Sequence, residues 1–101
     1  MDEASLTEGL RAVSEPLRWR ILQLLRAEDL CVCHLVDELA APQSLISHHL
    51  RVLRDAGLVE SERFRYWTYY RLSRSALRAL GRRLLDVSVD PVPGSGRRPC
   101  C

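Results

Sequence analysis

No apolar run in this 101-residue chain approaches the ~20 residues that a membrane-spanning helix requires. The opening residues, Met1-Asp2-Glu3-Ala4, are acidic and lack the apolar stretch of a secretory signal. The expectation is a cytoplasmic chain with no membrane partner, where thiols stay reduced. Lysine is absent, so every basic residue is arginine. Arginine suits phosphate recognition, but a biased genome yields the same composition, so the absence decides nothing. There is no Cys-x-x-Cys and no His-Glu-x-x-His, which removes thioredoxin-like exchange and zinc-dependent hydrolysis and leaves no enzyme motif. The length allows one domain. A domain this small is marginally stable alone, and dimerisation is a common remedy.

The charge that is present is unevenly placed. Residues 1–41 carry four Arg against eight acids, and residues 42–101 carry eleven Arg against five, so net −4 precedes net +6. A basic second half suits a polyanionic partner. The four cysteines fall in two close pairs, Cys31 with Cys33 and Cys100 with Cys101. In a reducing compartment such pairs read as soft metal ligands rather than staples.

Periodicity gives the elements. Leu6, Leu10 and Val13 predict a short amphipathic helix over residues 5–13. Ser14 is a candidate N-cap for a second helix with Pro16 in its first turn and a stripe of Leu17, Ile21, Leu24 and Leu25. A third helix is expected over residues 33–40 and a fourth directly after Ala41-Pro42, with Ile46, Leu50 and Leu53 inward and Gly57 as a left-handed cap. Residues 58–63 and 66–72 read as two strands of a hairpin with Arg63, Phe64 and Arg65 at its tip. Ser73 can cap a last helix carrying Ala76, Leu77, Leu80 and Leu84. Residues 1–85 thus form the folded domain. Residues 86–101, rich in Pro, Gly, Ser and Arg, form a flexible tail ending in the second cysteine pair.

Two short helices, a tight turn and a hairpin describe a mainly α fold with a β-hairpin wing, a winged helix-turn-helix, whose second helix enters the DNA major groove. At about 100° per residue, Ser44, His48 and Arg51 face outward, with Gln43 and Ser47 flanking them near the helix start. These side chains can bond base edges and phosphates. Arg63 and Arg65 on the wing would contact a neighbouring minor groove or the backbone. His49 turns partly toward the apolar seam and reads as a packing or hydrogen-bonding residue.

Leu30-Cys31-Val32-Cys33-His34-Leu35, Ser44-Leu45-Ile46-Ser47-His48-His49-Leu50 and Arg54-Asp55-Ala56-Gly57-Leu58-Val59 resemble the ArsR/SmtB metal-sensing repressors over roughly residues 5–85. The resemblance implies a homodimer on double-stranded operator DNA that leaves when a metal or metalloid binds. It also implies a dimer interface on the stripes Leu6-Leu10-Val13 and Leu77-Leu80-Leu84. The Leu-Cys-Val-Cys opening is similar to the arsenic-sensing branch, which implies trivalent arsenic, As(III), as inducer, with Sb(III) or another soft ion in the same role. That branch places a third Cys three residues after the pair and commonly an Asp directly after it; here those positions hold Val36 and His34. Residues 73–85 contain no His, Asp or Glu, so the last-helix site of the family's nickel, cobalt and zinc sensors is absent.

Cys31 and Cys33 are two positions apart. Such residues point about 200° apart in a helix and to one side in a strand, so convergence on one ion predicts a helix start that is non-helical or unwinds. Cys100 and Cys101 are candidate further ligands, because the tail from Asp86 spans up to about 46 Å. An external thiol or a methyl group already on an organoarsenical is another candidate for the third position. A sensor of cadmium, zinc or mercury and a thiol-redox sensor on the same scaffold stay open beside the arsenic reading.

Overall fold

The computed structural model describes residues 1–91, 94 and 96–100. Within them the order is α1 (Glu3–Val13), α2 (Pro16–Ala27), β1 (Leu30–Cys31), α3 (Val32–Leu39), α4 (Gln43–Asp55), β2 (Val59–Phe64), β3 (Trp67–Leu72) and α5 (Arg74–Val87). The arrangement is a winged helix-turn-helix. No helix among the described residues is long and apolar enough to cross a membrane.

Local chemistry sets the boundaries. Asp2 caps α1 by accepting the Ser5 N–H at 2.8 Å, so this helix starts two residues before the apolar stripe suggests. Ser14 does not cap α2. Its hydroxyl closes α1 by donating to the Arg11 carbonyl at 2.7 Å, and Glu15 takes the cap by accepting the Arg18 N–H at 2.9 Å. Ala40 ends α3 in the left-handed region at φ 50°, and Pro42 stands before α4 in extended backbone, which makes the tight turn of the motif. At the far end of α4, Gly57 takes φ 78° while its N–H bonds Arg54 O and the Leu58 N–H bonds Leu53 O. This is the double closure in which a left-handed glycine satisfies the last carbonyls.

The core is the meeting of these helices. Ile21, Leu25, Leu35, Ile46, Leu50, Leu53, Leu58 and Val59 are all fully buried. Gly9 is buried on α1, and a Cβ there would lie 3.2 Å from Leu80 Cδ1, so the absent side chain lets α5 pack close to α1.

Two features of the sheet differ from expectation. Its order is β1-β3-β2, all antiparallel, so a short third strand joins the hairpin through Leu30↔Tyr70 and Cys31↔Tyr69. The hairpin itself closes on Phe64↔Trp67, leaving Arg65 and Tyr66 as a two-residue loop rather than a three-residue tip. Arg65 takes φ 58°, a conformation that glycine ordinarily supplies in such loops.

The buried polar side chain is His49 on α4, 7% exposed. Arg18 Nη1 lies 3.0 Å from its Nδ1, while Glu15 Oε2 lies 3.8 Å from its Nε2. Arginine can only donate, so Nδ1 accepts and His49 is the neutral tautomer with its proton on Nε2. Burial is the first reason that its pKa lies below the ordinary 6.5; Glu15 opposes the shift, and the Arg18 and His48 charges add to it. Since the unfolded chain then binds the proton more readily than the folded one, this stabilisation is complete above pH 6.5 and fades as pH falls through the lowered value. Urea midpoints measured from pH 7.5 to 5 should therefore fall more steeply for the native protein than for His49→Gln, and parallel slopes would remove His49 from the balance.

Candidate thiol site and nucleic-acid interface

Cys31 is both the last residue of β1 and the N-cap of α3, with extended dihedrals of φ −91° and ψ 169°. Its side chain therefore does not follow helical geometry. Cys33, in the first turn of α3, points to the same place, and the two free thiols have their Sγ atoms 2.7 Å apart. The unwinding that helical spacing demanded is unnecessary, because the strand ends between the two residues. His34 completes the corner. Its Nδ1 accepts the Cys31 backbone N–H at 3.1 Å, as the third residue of a capping box does, and lies 3.2 Å from Cys31 Sγ. The ligating atoms of Cys31, Cys33 and His34 all lie within 4.8 Å of one another.

The two thiols differ. Cys31 is buried and Cys33 exposed. Burial pushes the Cys31 thiol up, but the Cys33 thiol and the backbone N–H groups of His34, Cys33 and Cys31 outweigh it and hold the pKa below the ordinary 9.0. Hydrogen bonding to Cys31 pushes Cys33 the other way, with burial and the Cys31 charge adding to the rise. Cys31 is thus the more readily deprotonated of the two thiols.

Beside the thiols is a cleft of about 380 Å³. Val32, Val36 and Asp37 of α3 form one wall. Tyr66, Trp67 and Thr68 at the wing form the other, and Gln43, the first residue of α4, stands at its edge. Cys100 is exposed and stands outside the cluster formed by Cys31, Cys33 and His34. Cys101 lies outside the described residues.

The candidate DNA residues lie on α4 and the wing. Gln43, Ser44, Ser47, His48 and Arg51 are all exposed, as are Arg63 and Arg65. The wing carries two acids that a phosphate backbone would repel, but Arg71 spans both, donating to Glu60 at 3.3 Å and to Glu62 at 2.5 Å. Arg63 and Arg65 have no carboxylate partner among the described residues; Arg63 Nε donates to Arg65 O, and the Arg65 guanidinium lies 5.5 Å from the Phe64 ring centroid. The sequence offered His34 as a possible nitrogen ligand but favoured a solvated surface role, and it gave no sign that Gln43 stands at the edge of the cleft. The capping-box spacing from Cys31 to His34 was the available signal for the first.

Since contact with Cys33 is one cause of the lowered Cys31 pKa, Cys33→Ala should raise the lower thiol pKa toward 9.0 in the reduced, metal-free protein. Thiolate absorbance at about 240 nm, titrated with Cys100 and Cys101 replaced by Ser, reads this directly; an unmoved onset would contradict the assignment.

Comparison with known proteins places this geometry. Residues 15–61 match the family described as bacterial regulatory protein, arsR family. The transcriptional repressor SmtB of Mycobacterium tuberculosis is 46% identical over 66 residues; these are 65% of this chain and 49% of SmtB, so the match reaches about half of that relative. The arsenical resistance operon repressor of Staphylococcus xylosus is 31% identical over 89% of this chain and 86% of its own length. A solved structure titled as a possible transcriptional regulator for arsenical resistance superposes with a TM-score of 0.75 at 36% identity, over 82% of this chain and 86% of that one. Matched helix-turn-helix, wing and end-to-end similarity to a repressor lead to one assignment: this chain belongs to the ArsR family of DNA-binding transcriptional regulators.

Proposed function

We propose that the protein is an operator-bound repressor that releases DNA when trivalent arsenic is held by the Cys31 and Cys33 thiolates. The observation that carries this reading is the preformed pair of free thiols, 2.7 Å apart, at the start of the helix that packs against α4. The donor chemistry fits: As(III) and Sb(III) are soft and favour thiolate sulfur. When bound, such an ion supplies covalent bonds to sulfur strong enough to fix two thiolates relative to each other.

The chain's own residues convert that restraint into release. Cys31 belongs to β1 and is paired with Tyr69 of the wing, while Cys33 belongs to α3. An ion bonded to both would replace their direct contact and push the two sulfurs apart, shifting the wing strand against the helix-turn-helix and so moving Arg63 and Arg65 relative to Ser44, Ser47, His48 and Arg51. A coupling of about 1–3 kcal/mol suffices for a 5–150-fold loss of affinity.

A homodimer supports this function, because a two-fold operator needs two reading helices about 34–36 Å apart. The surface available for it is apolar. A groove of about 540 Å³ runs between α1, α2 and α5, lined by Leu10, Val13, Leu77, Leu80 and Leu84, and Leu85 and Val87 beyond it are 64% and 85% exposed. This groove is larger than the thiol cleft but holds no thiol or carboxylate, so we read it as an association surface rather than the effector site.

A second reading has one observation in its favour. Cys31, Cys33 and His34 together offer two sulfurs and a nitrogen, a set that suits zinc or cadmium. His34 would have to give up the Cys31 N–H to serve it.

Three measurements test these readings. With about three phosphates neutralised per subunit, the log–log salt slope of operator binding should be near −5, and an affinity indifferent to salt would remove the DNA-binding reading. Ser47→Ala and His48→Ala should weaken operator binding more than binding to random DNA, by roughly 1–3 kcal/mol if they read bases. Cys31→Ser and Cys33→Ser should each keep operator affinity and abolish release by arsenite under reducing conditions; a Cys33→Ser protein that still releases defeats the inducer assignment, and release by zinc or cadmium alone favours the second reading.

A further inference from the structure

We propose that the cleft between α3 and the wing binds the organic group of a monosubstituted trivalent arsenical, and that Trp67 sets which organic group is accepted. This deepens, and rests on, the reading of Cys31 and Cys33 as the effector site.

Three observations converge. First, the volume is wrong for a bare ion. The cleft holds about 380 Å³, against roughly 30 Å³ for one water, and falls in the range of about 300–1,000 Å³ typical of small-molecule pockets. Second, its lining includes an apolar part, Val32 and Val36 from α3 and the half-exposed Trp67 ring from the wing, with Asp37, Gln43, Thr68 and the exposed Tyr66 completing it. Third, the site offers two sulfurs and no free third donor among the described residues. Val36 occupies the position one helical turn beyond Cys33, and the His34 Nδ1 lone pair already accepts the Cys31 N–H.

Trivalent arsenic makes three covalent bonds. Two thiolates leave one, and a carbon substituent fills it without help from the protein. Cys31 and Cys33 each form one sulfur–arsenic bond to R–As(OH)₂; two arsenic–oxygen bonds break, and the two thiol protons leave with the hydroxides as two waters. Arsenic stays trivalent throughout, so no oxidant or reductant is needed. The group R then projects from the sulfurs into the adjoining cleft. An aryl group there stacks on Trp67 and covers Val36. It also lies against Gln43 and Tyr66, at the junction of the reading helix and the wing.

The test is a partition measurement on the reduced full-length protein, with Cys100→Ser and Cys101→Ser so that the tail supplies no sulfur. Each arsenical competes between protein and dithiothreitol, which cancels its intrinsic affinity for two sulfurs, and bound arsenic is read by mass spectrometry. Phenylarsonous acid should partition to the protein about tenfold better than methylarsonous acid, the preference expected from one buried, stacked ring. Trp67→Ala should erase most of that preference and leave the methyl compound within about twofold, while Trp67→Phe should retain it. Val36→Trp, which fills the cleft from α3, should exclude phenyl and spare methyl. Equal partition of the two compounds, or a Trp67→Ala protein that loses both alike, overturns the proposal. Cys33→Ser separates the two levels: if it binds arsenicals as the native protein does, the thiol reading itself fails, whereas failure of the proposal leaves that reading intact.

Discussion

Two rungs of β-ladder, Leu30 to Tyr70 and Cys31 to Tyr69, hold the functional parts of this molecule in one frame. A two-stranded hairpin is by itself marginally stable in water, and these rungs add to the packing of β2 and β3 on α4 and α2. With them the wing is the outer part of a three-stranded sheet anchored between α2 and α3. The same rungs put Cys31 in extended backbone at the moment the chain turns into α3. That one change of dihedral brings two thiols to the same point and sets them against the wing. The proximity of thiols, reading helix and wing is thus a single geometric consequence, not three separate placements.

That junction also explains the unequal thiols. An N-cap residue faces the unpaired N–H groups of the first helical turn, which favour negative charge. Cys31 occupies that position and Cys33 does not, so the backbone distinguishes the two thiols. His34 reinforces the arrangement by taking up the Cys31 N–H, as Glu or Gln does in an ordinary capping box. A candidate metal ligand and a helix cap are therefore the same residue here, and recruiting His34 as a ligand would weaken the start of α3.

Much of the frame was legible in the sequence because it rests on periodicity and on strong local signals. The stripe Ile46, Leu50 and Leu53, the Ala41-Pro42 break and Gly57 located α4 and its outward face, since each is decided within one or two turns of chain. What escaped detection depends on contacts distant in sequence. β1 has two residues, too few for any period, and becomes a strand only through partners some forty positions away. The wing tip was misplaced because Phe64, Arg65 and Tyr66 include no glycine or asparagine to mark the loop; Arg65 adopts the left-handed conformation under the hairpin's constraint. At the thiols the spacing called for a helix start that is non-helical or unwinds, and the first alternative holds, with Cys31 in extended backbone ahead of α3.

The Arg18–His49 contact connects the remaining parts. Arg18 Nε donates to the Ala12 carbonyl at 2.7 Å, and its Nη1 reaches His49 on the buried face of α4. The C-terminal end of α1, the helix whose stripe flanks the apolar groove, is thereby tied to the middle of the reading helix by one guanidinium. A rigid planar fork with separate donors suits such a bridge in a way that an ammonium does not. If a second copy covers α1 and α5, its docking fixes the end of α1 and, through Arg18, the seat of α4. Subunit geometry and the spacing of the reading helices are then coupled by a hydrogen bond in which His49 must be neutral to take part.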